Sequence, residues 1–315
     1  MAKTQTQTLA KKDLNASFLE IKDEIYDMLP FIFQKDSFFP FMDFLAKWQH
    51  YSIYNVILLY KQCPDATYLA SYKRWKELSD LAGNGPYHTI LKSEYQKKKG
   101  IALLIPFSLY SIDSGPKERF LSYHQIHVYD VSQVNDVPYP APFTPYVFIK
   151  DLAFHDFLCI LRVEEKSSLR FVPIKETSSV PRQKDAYVLN DTIFYNPQAE
   201  HVKEAVLYAY INYVTHMLCL DKHYTVSDEN FICRAATRSL FRYYGLDALY
   251  QAHDVTRLIL DLEKIIEKEN DELFLILHYI LLVIKTCIYR IKSGFKVQLS
   301  TNSDNGIGSP FWEVQ

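Results

Sequence analysis

Glycine is scarce in this chain, with 8 among 315 residues, and no glycine-rich phosphate loop is present. That argues against a nucleotide held on backbone N–H groups as the basis of function. Cysteine is sparse as well. Cys63, Cys159, Cys219, Cys233 and Cys287 are widely scattered, odd in number and form no C-x-x-C pair. The pattern gives no disulfide framework and no cysteine zinc knot, and it suits buried thiols in a reducing compartment. Neither sign of charge is in excess: 35 Lys and Arg stand against 37 Asp and Glu, a formal net charge of -2. A uniformly basic nucleic-acid binder is thereby excluded, while a local basic face is not. The first residues, Met1 to Lys12, are polar and lack the apolar core of a signal peptide. The apolar run Leu273 to Ile284 contains His278, stops near Lys285 and is too short to cross a bilayer, so it reads as a core helix. The expectation is a cytoplasmic protein with no membrane partner.

What is present is enough apolar material for a sizeable core. Hydrophobic residues make up 48% and charged residues 23%, which fits one large domain or two ordinary ones. Aromatics reach 15%, with 24 Tyr and 20 Phe. Codon usage in an AT-rich genome accounts for such a composition, and so would surfaces on which bases stack.

Helices are expected over Leu14–Met28, over Phe41–Lys61 entered near Pro40, and over Tyr72–Leu78. Strands are expected at Ile101–Pro106 and His124–Val131. Pro138, Pro140, Pro142 and Pro145 make a stiff extended linker, and the domain boundary is placed there. The second half reads as a helix over Ala153–Leu161, a strand near Arg170–Pro173, a polar loop over Lys175–Asp185 and a strand or hairpin over Tyr187–Tyr195. Helices follow over Val202–Leu220, Asp228–Tyr244, Val255–Lys268 and Glu272–Ile291. Ser227 and Asp228 are plausible N-caps and Gly245 a plausible C-cap. The domains are thus 1–137 and 146–299, with a loose tail over 300–315.

The first half contains Tyr51-Ser52-x-x-Asn55, Gln62-x-Pro64-x-Ala66, Tyr72-x-x-Trp75-x-x-Leu78, Lys99-Gly100-Ile101-Ala102 and Val128-Tyr129-Asp130-Val131-Ser132-Gln133. In that order these landmarks resemble the ArdC-type antirestriction domain, also seen in LtrC-like proteins of plasmids and conjugative elements. The insertion Asn84 to Tyr95 and Val134 depart from the family pattern. The second half resembles the zinc-metallopeptidase partner of that family in layout alone. Where full members carry Leu-His-Glu-x-x-His, residues 207–212 read Leu-Tyr-Ala-Tyr-Ile-Asn, and the Tyr-Gly-Leu-Asp ending is kept at 244–247. Tyr208, Ala209 and Asn212 occupy the positions of the two ligands and the general base. The region of the third ligand falls near Ile232, Cys233 and Arg234, with no carboxylate in register. Zinc hydrolysis needs three protein ligands and a base beside the bound water, and these residues do not supply them.

The resemblance therefore implies an α+β protein, with a small ArdC-like N-terminal domain and a mostly helical zincin-like domain without its metal site. It implies no cofactor and no catalytic residue. Single-stranded DNA is the expected partner, in protection of incoming mobile DNA or interference with host nucleases. Aromatic and cationic groups suited to single strands are Tyr72, Lys73, Arg74 and Trp75, with Lys97, Lys98 and Lys99 at a turn; Tyr51, Ser52, Asn55 and Gln133 are further polar positions inside the resemblance. For Trp75 the alternative is a core position, and for Ser52, Asn55 and Gln133 it is hydrogen bonding to the neighbouring turn. Two other readings stay open: a protein-interaction module gripping a host restriction or regulatory protein, and a metallopeptidase with displaced ligands such as His216 with His201 or His223. Cys159, Cys219 or Cys233 beside His155, His216 or His223 could also form a nucleophilic pair, against which stands their apolar setting.

Overall fold

Each of the first three helices buries apolar side chains, among them Ile25, Leu29, Phe41, Met42, Val56 and Leu59. Helix α1 covers 20–32, α2 Lys35–Lys47 and α3 Ile53–Gln62. The structure, a computed structural model, describes residues 20–85, 88–110, 119–139, 149–162, 172–177, 185–220, 222, 224–246 and 252–303. The start of the first expected helix, at Leu14, lies outside them. The single helix expected over Phe41–Lys61 is in fact two. α2 begins earlier and carries Pro40 inside it, and the chain turns at 48–52 before Ser52 caps α3 by accepting from the Asn55 N–H at 3.3 Å. Pro40 removes one helical hydrogen bond. The helix persists because Phe38, Phe41, Met42, Phe44 and Leu45 are all buried around it.

Strands β1 (Leu69–Ala70), β2 (Ile101–Tyr110) and β3 (Arg119–Asp130) form an antiparallel sheet in the order β1-β3-β2. Both long strands run further than their expected ranges, pairing from Ile101↔Val128 to Tyr110↔Arg119. α3 lies along the free edge of β2. Its Asn55 and Gln62 carboxamides bond the peptides of Leu104 and Ala102. Helix α4 (Tyr72–Leu81) starts on a Ser71 cap and ends before Gly83, whose φ of 77° suits glycine. A second small core gathers Ala70, Trp75, Ile90, Leu91, Val134 and Val137. The inserted segment joins it through the bridge Leu91↔Val134.

Beyond the linker come α5 (Phe154–Arg162), β4 (Ile174–Glu176), β5 (Ala186–Leu189) and β6 (Thr192–Tyr195). β6 is central, parallel to β4 and antiparallel to β5. Asn190 and Asp191, at φ 46° and 55°, make the two-residue turn that matches the twist of a hairpin. Helix α6 runs Val202–Cys219 and α7 Val226–Tyr243. The α7 cap is Thr225, not Ser227 or Asp228. Thr225 and Asp228 bond each other's backbone N–H in a capping box, so Asp228 is its third helical residue. Gly245 ends α7 at φ 74°.

Helix α8 covers Ala252–Ile265, and α9 runs Asn270–Ser303, well past the expected end at Ile291. Its apolar stretch is also longer than the run read from sequence: within Asn270–Gly294 an 18-residue window has mean hydropathy 1.8, long and apolar enough to cross a membrane, and 56% of that window is buried within the protein. At Gly294 the backbone passes so close to α5 that a Cβ would collide with the Ile160 carbonyl oxygen.

The chain divides into two compact units, 1–144 with 269–274 and 145–268 with 275–315. The first unit thus takes in the start of α9, where Asp271 accepts a hydrogen bond from the Tyr26 hydroxyl. Residues 140–148 of the proline-rich linker, the strand start at Arg170 and Phe171, most of the polar loop (178–184), His223, Asp247 and the tail beyond 303 lie outside the described residues. Taken together, the architecture is α+β.

Candidate functional site

In the first unit most landmark residues hold the fold. Ser52 is a helix cap. Asn55 is buried, its side-chain N–H donating to the Leu104 carbonyl at 2.8 Å and its oxygen accepting from the Leu104 N–H at 2.7 Å. Gln133 accepts from the Asp130 N–H at 2.9 Å in a second capping box. The Asp130 carboxylate, itself buried, accepts from the backbone N–H groups of Thr67, Tyr68 and Ser132. Trp75 is 0% exposed and its indole N–H donates to the Tyr129 carbonyl at 2.9 Å. A base cannot stack on it, so Trp75 is corrected from a stacking surface to the centre of the second core. Asn55 is likewise corrected from a ligand contact to a scaffold bond, because both ends of its amide are taken by the buried Leu104 peptide; at Gln133 the side-chain oxygen is held by the Asp130 N–H. Tyr51 is half-buried between Trp48 and His50, and burial raises its hydroxyl pKa.

The other candidate residues face solvent. Tyr72 is 50% exposed, and Lys73, Arg74, Lys97, Lys98 and Lys99 are exposed. Arg74 pairs with Glu77 at 3.2 Å along one turn of α4. The structure brings the aromatic and the basic elements together through Tyr129. The Tyr72 ring meets the Tyr129 ring edge-on at 6.5 Å. The Tyr129 ring also lies against Gly100, where a Cβ would be 3.0 Å from the ring and 2.5 Å from the Val128 carbonyl oxygen. Gly100 closes the turn that carries the three lysines, and the Lys98 ammonium sits 5.3 Å from the centre of the Tyr95 ring. Tyr95 and Tyr129 both pack on the second core. Sequence reasoning missed their part in this face, although Tyr129 lies within a quoted motif.

In the second unit, Tyr208, Ala209 and Asn212 sit on α6 as their spacing requires, but they face differently. Tyr208 is 40% exposed and Ala209 is 3% exposed. Of the two, Ala209 is the buried residue and Tyr208 keeps a large part of its surface in solvent. Asn212 is half-buried and its side-chain N–H reaches the Cys233 sulfur at 3.7 Å. The Cys233 thiol is pushed up to about 11, mainly by burial, and bonds from Asn212, Thr215 and Thr237 offset part of that shift.

His216 is bonded through Nδ1 to Glu229 at 3.0 Å. His201 lies 4.0 Å from Glu200 in exposed surroundings. Among the described residues no group of three His, Cys, Asp or Glu side chains is placed to hold a metal ion. One of the cysteine–histidine pairs read from sequence does meet: Cys159 Sγ lies 3.6 Å from His155 Nε2 on α5.

No family model matches the chain, and no curated protein does. Among solved structures, the chain is similar to the metal-free structure of the antirestriction ArdC protein from R388 plasmid, at 15% identity and a TM-score of 0.45, over 77% of this chain and 86% of that one. It is also similar to the Mn(II)-bound structure of that protein, at 15% identity and a TM-score of 0.44, over 78% and 84% of the two chains.

Proposed function

We propose that the protein binds single-stranded DNA and acts, without catalysis, as an antirestriction-type protein of a mobile genetic element. The observation that carries this reading is that exposed Tyr72 and Gly100, which closes the exposed Lys97–Lys99 turn, both meet the Tyr129 ring. An exposed ring beside exposed ammonium groups suits a strand whose bases stack and whose phosphates need cations. Lys73, next to Tyr72 in sequence, is a further exposed cation on α4. The landmarks shared with ArdC-type domains support the role, and the residues standing at 208, 209 and 212 support the absence of zinc-dependent hydrolysis, since tyrosine, alanine and asparagine do not make a zinc centre with a base.

Fluorescence anisotropy of full-length protein with labelled single-stranded and duplex oligonucleotides, across a salt series, tests the reading. Single strands are expected to bind more tightly, with affinity falling as salt rises. Changing Lys97, Lys98 and Lys99 together to alanine is expected to flatten the salt dependence by about 0.7 in log–log slope for each phosphate that is no longer neutralised. Equal affinity for both forms, or none for either, counts against it.

A further inference from the structure

We propose that Cys159 and His155 form a thiol–disulfide exchange site on the outer face of α5, taking a low-molecular-weight disulfide and leaving a mixed disulfide on Cys159. Helix α5 is fixed by Phe157, Leu158, Ile160 and Leu161, all buried. His155 and Cys159 are four residues apart, so they stack on a shared face one turn apart. His155 is exposed and Cys159 half-buried, with Sγ 3.6 Å from Nε2. An imidazole nitrogen at that distance is placed to take the thiol proton, and the thiolate is the form that attacks a disulfide.

The other thiols provide the contrast. Cys219, Cys233 and Cys287 are buried. Burial pushes Cys219 and Cys233 up to about 11 and Cys287 up as well. Cys63 is half-buried like Cys159. Its thiol is pushed up by burial and by the nearby carboxylates of Asp130 and Asp65, against a smaller opposing effect of Lys47. Cys159 alone of the five combines partial exposure with a histidine nitrogen within reach of its sulfur among the described residues.

In the exchange, Cys159 Sγ bonds to one sulfur of the incoming disulfide as the disulfide's own S–S bond breaks. The thiol proton passes to His155 Nε2 and then to the departing thiolate. One disulfide is consumed and one is formed, so no external oxidant enters.

The test incubates native full-length protein with oxidised glutathione and follows each cysteine by peptide mass spectrometry. Cys159 is expected to acquire glutathione at least about tenfold faster than Cys63, because its partly exposed sulfur has a proton acceptor within reach. His155→Ala and His155→Gln should each remove most of that advantage while leaving the thermal melt unchanged, since the imidazole is exposed. Free imidazole added to His155→Ala should restore part of the rate. A Cys159 no faster than Cys63, or a rate indifferent to both His155 variants, overturns the proposal.

Discussion

The side-chain amide of Asn55 and the peptide of Leu104 exchange both of their hydrogen bonds, at 2.8 and 2.7 Å. One helical stripe further along, Gln62 and Ala102 repeat the exchange at 3.0 and 2.9 Å. Asn55 and Gln62 lie about two turns apart on α3, and Ala102 and Leu104 share one parity on β2. The helix thus gives the edge strand the donors and acceptors that a further strand would supply. Asn55→Ala is expected to destabilise the protein by about 2–4 kcal/mol, since two buried backbone groups are left unsatisfied. Asn55→Asp should be worse, because it keeps the acceptor, removes the donor and buries a charge. Gln62→Ala, at an exposed position, should have a smaller effect of about 1 kcal/mol. Urea unfolding of the three variants measures the order, and a harmless Asn55→Asp would refute the account.

The α6 substitutions separate by burial. Ala209→Glu is expected to destabilise by about 3–5 kcal/mol, the range for an uncompensated buried charge. Tyr208→His, at a solvent-facing position, should change stability by less than about 0.5 kcal/mol. Thermal melts decide, and comparable effects in the two variants would show that Tyr208 packs after all. Elemental analysis of protein purified without chelator is expected to find no stoichiometric zinc. One zinc per chain would direct attention to His216 and Glu229.

At Gly294 and Gly100 the backbone passes too close to its neighbours to admit a Cβ. Alanine is the better helix former by about 1 kcal/mol, yet Gly294→Ala should destabilise, because its Cβ would press on the Ile160 backbone of α5. Overpacking of this kind costs about 1–3 kcal/mol. Gly100→Ala should likewise destabilise through the Val128 carbonyl. A melting temperature raised by Gly294→Ala would mean that the two helices can part without penalty.

Stability should fall as pH rises from 9 toward 11. Burial raises the Cys219 and Cys233 thiols from 9.0 to about 11 in the folded protein. Between those values the unfolded chain has released both protons and the folded protein has not, so the unfolded state is favoured as pH climbs. Below pH 9 these two groups contribute no slope. Lys47 acts in the opposite sense, since burial lowers its pKa, and its charge is relieved as pH rises. Urea midpoints across this range, with Cys233→Ala giving a shallower decline, provide the check. An identical decline in the variant would remove Cys233 from the explanation.

Local elements were readable where local chemistry decides them. The Ser71-capped α4, the hairpin around Asn190 and Asp191, and the α7 stop at Gly245 all follow from cap and turn residues. The split between α2 and α3 was not readable, because the apolar spacing continues through Trp48 and Tyr51 while the chain turns. The facing of Tyr208 was equally hidden. Val206, Leu207, Ala209, Tyr210, Ile211, Tyr213 and Val214 are all buried, so α6 shows no clear apolar stripe from which an outward face could be inferred. The roles of Asn55, Gln133 and Trp75 depend on partners that residue type does not reveal: Leu104 lies 49 positions from Asn55, and Tyr129 lies 54 from Trp75.

The carboxamide-lined edge also bears on self-association. Backbone groups at positions 102, 104 and 106 point away from β3, since residues on an antiparallel strand alternate between paired and outward-facing peptides. The first two are occupied by Gln62 and Asn55, and the third is Pro106, which has no N–H to offer. A foreign strand approaching this stretch finds no free donor on which to template, so the edge is protected against the runaway pairing that leads to aggregates. Removing Asn55 would then do more than loosen one unit: it would expose a two-sided peptide at the middle of that edge and open a route to insoluble protein.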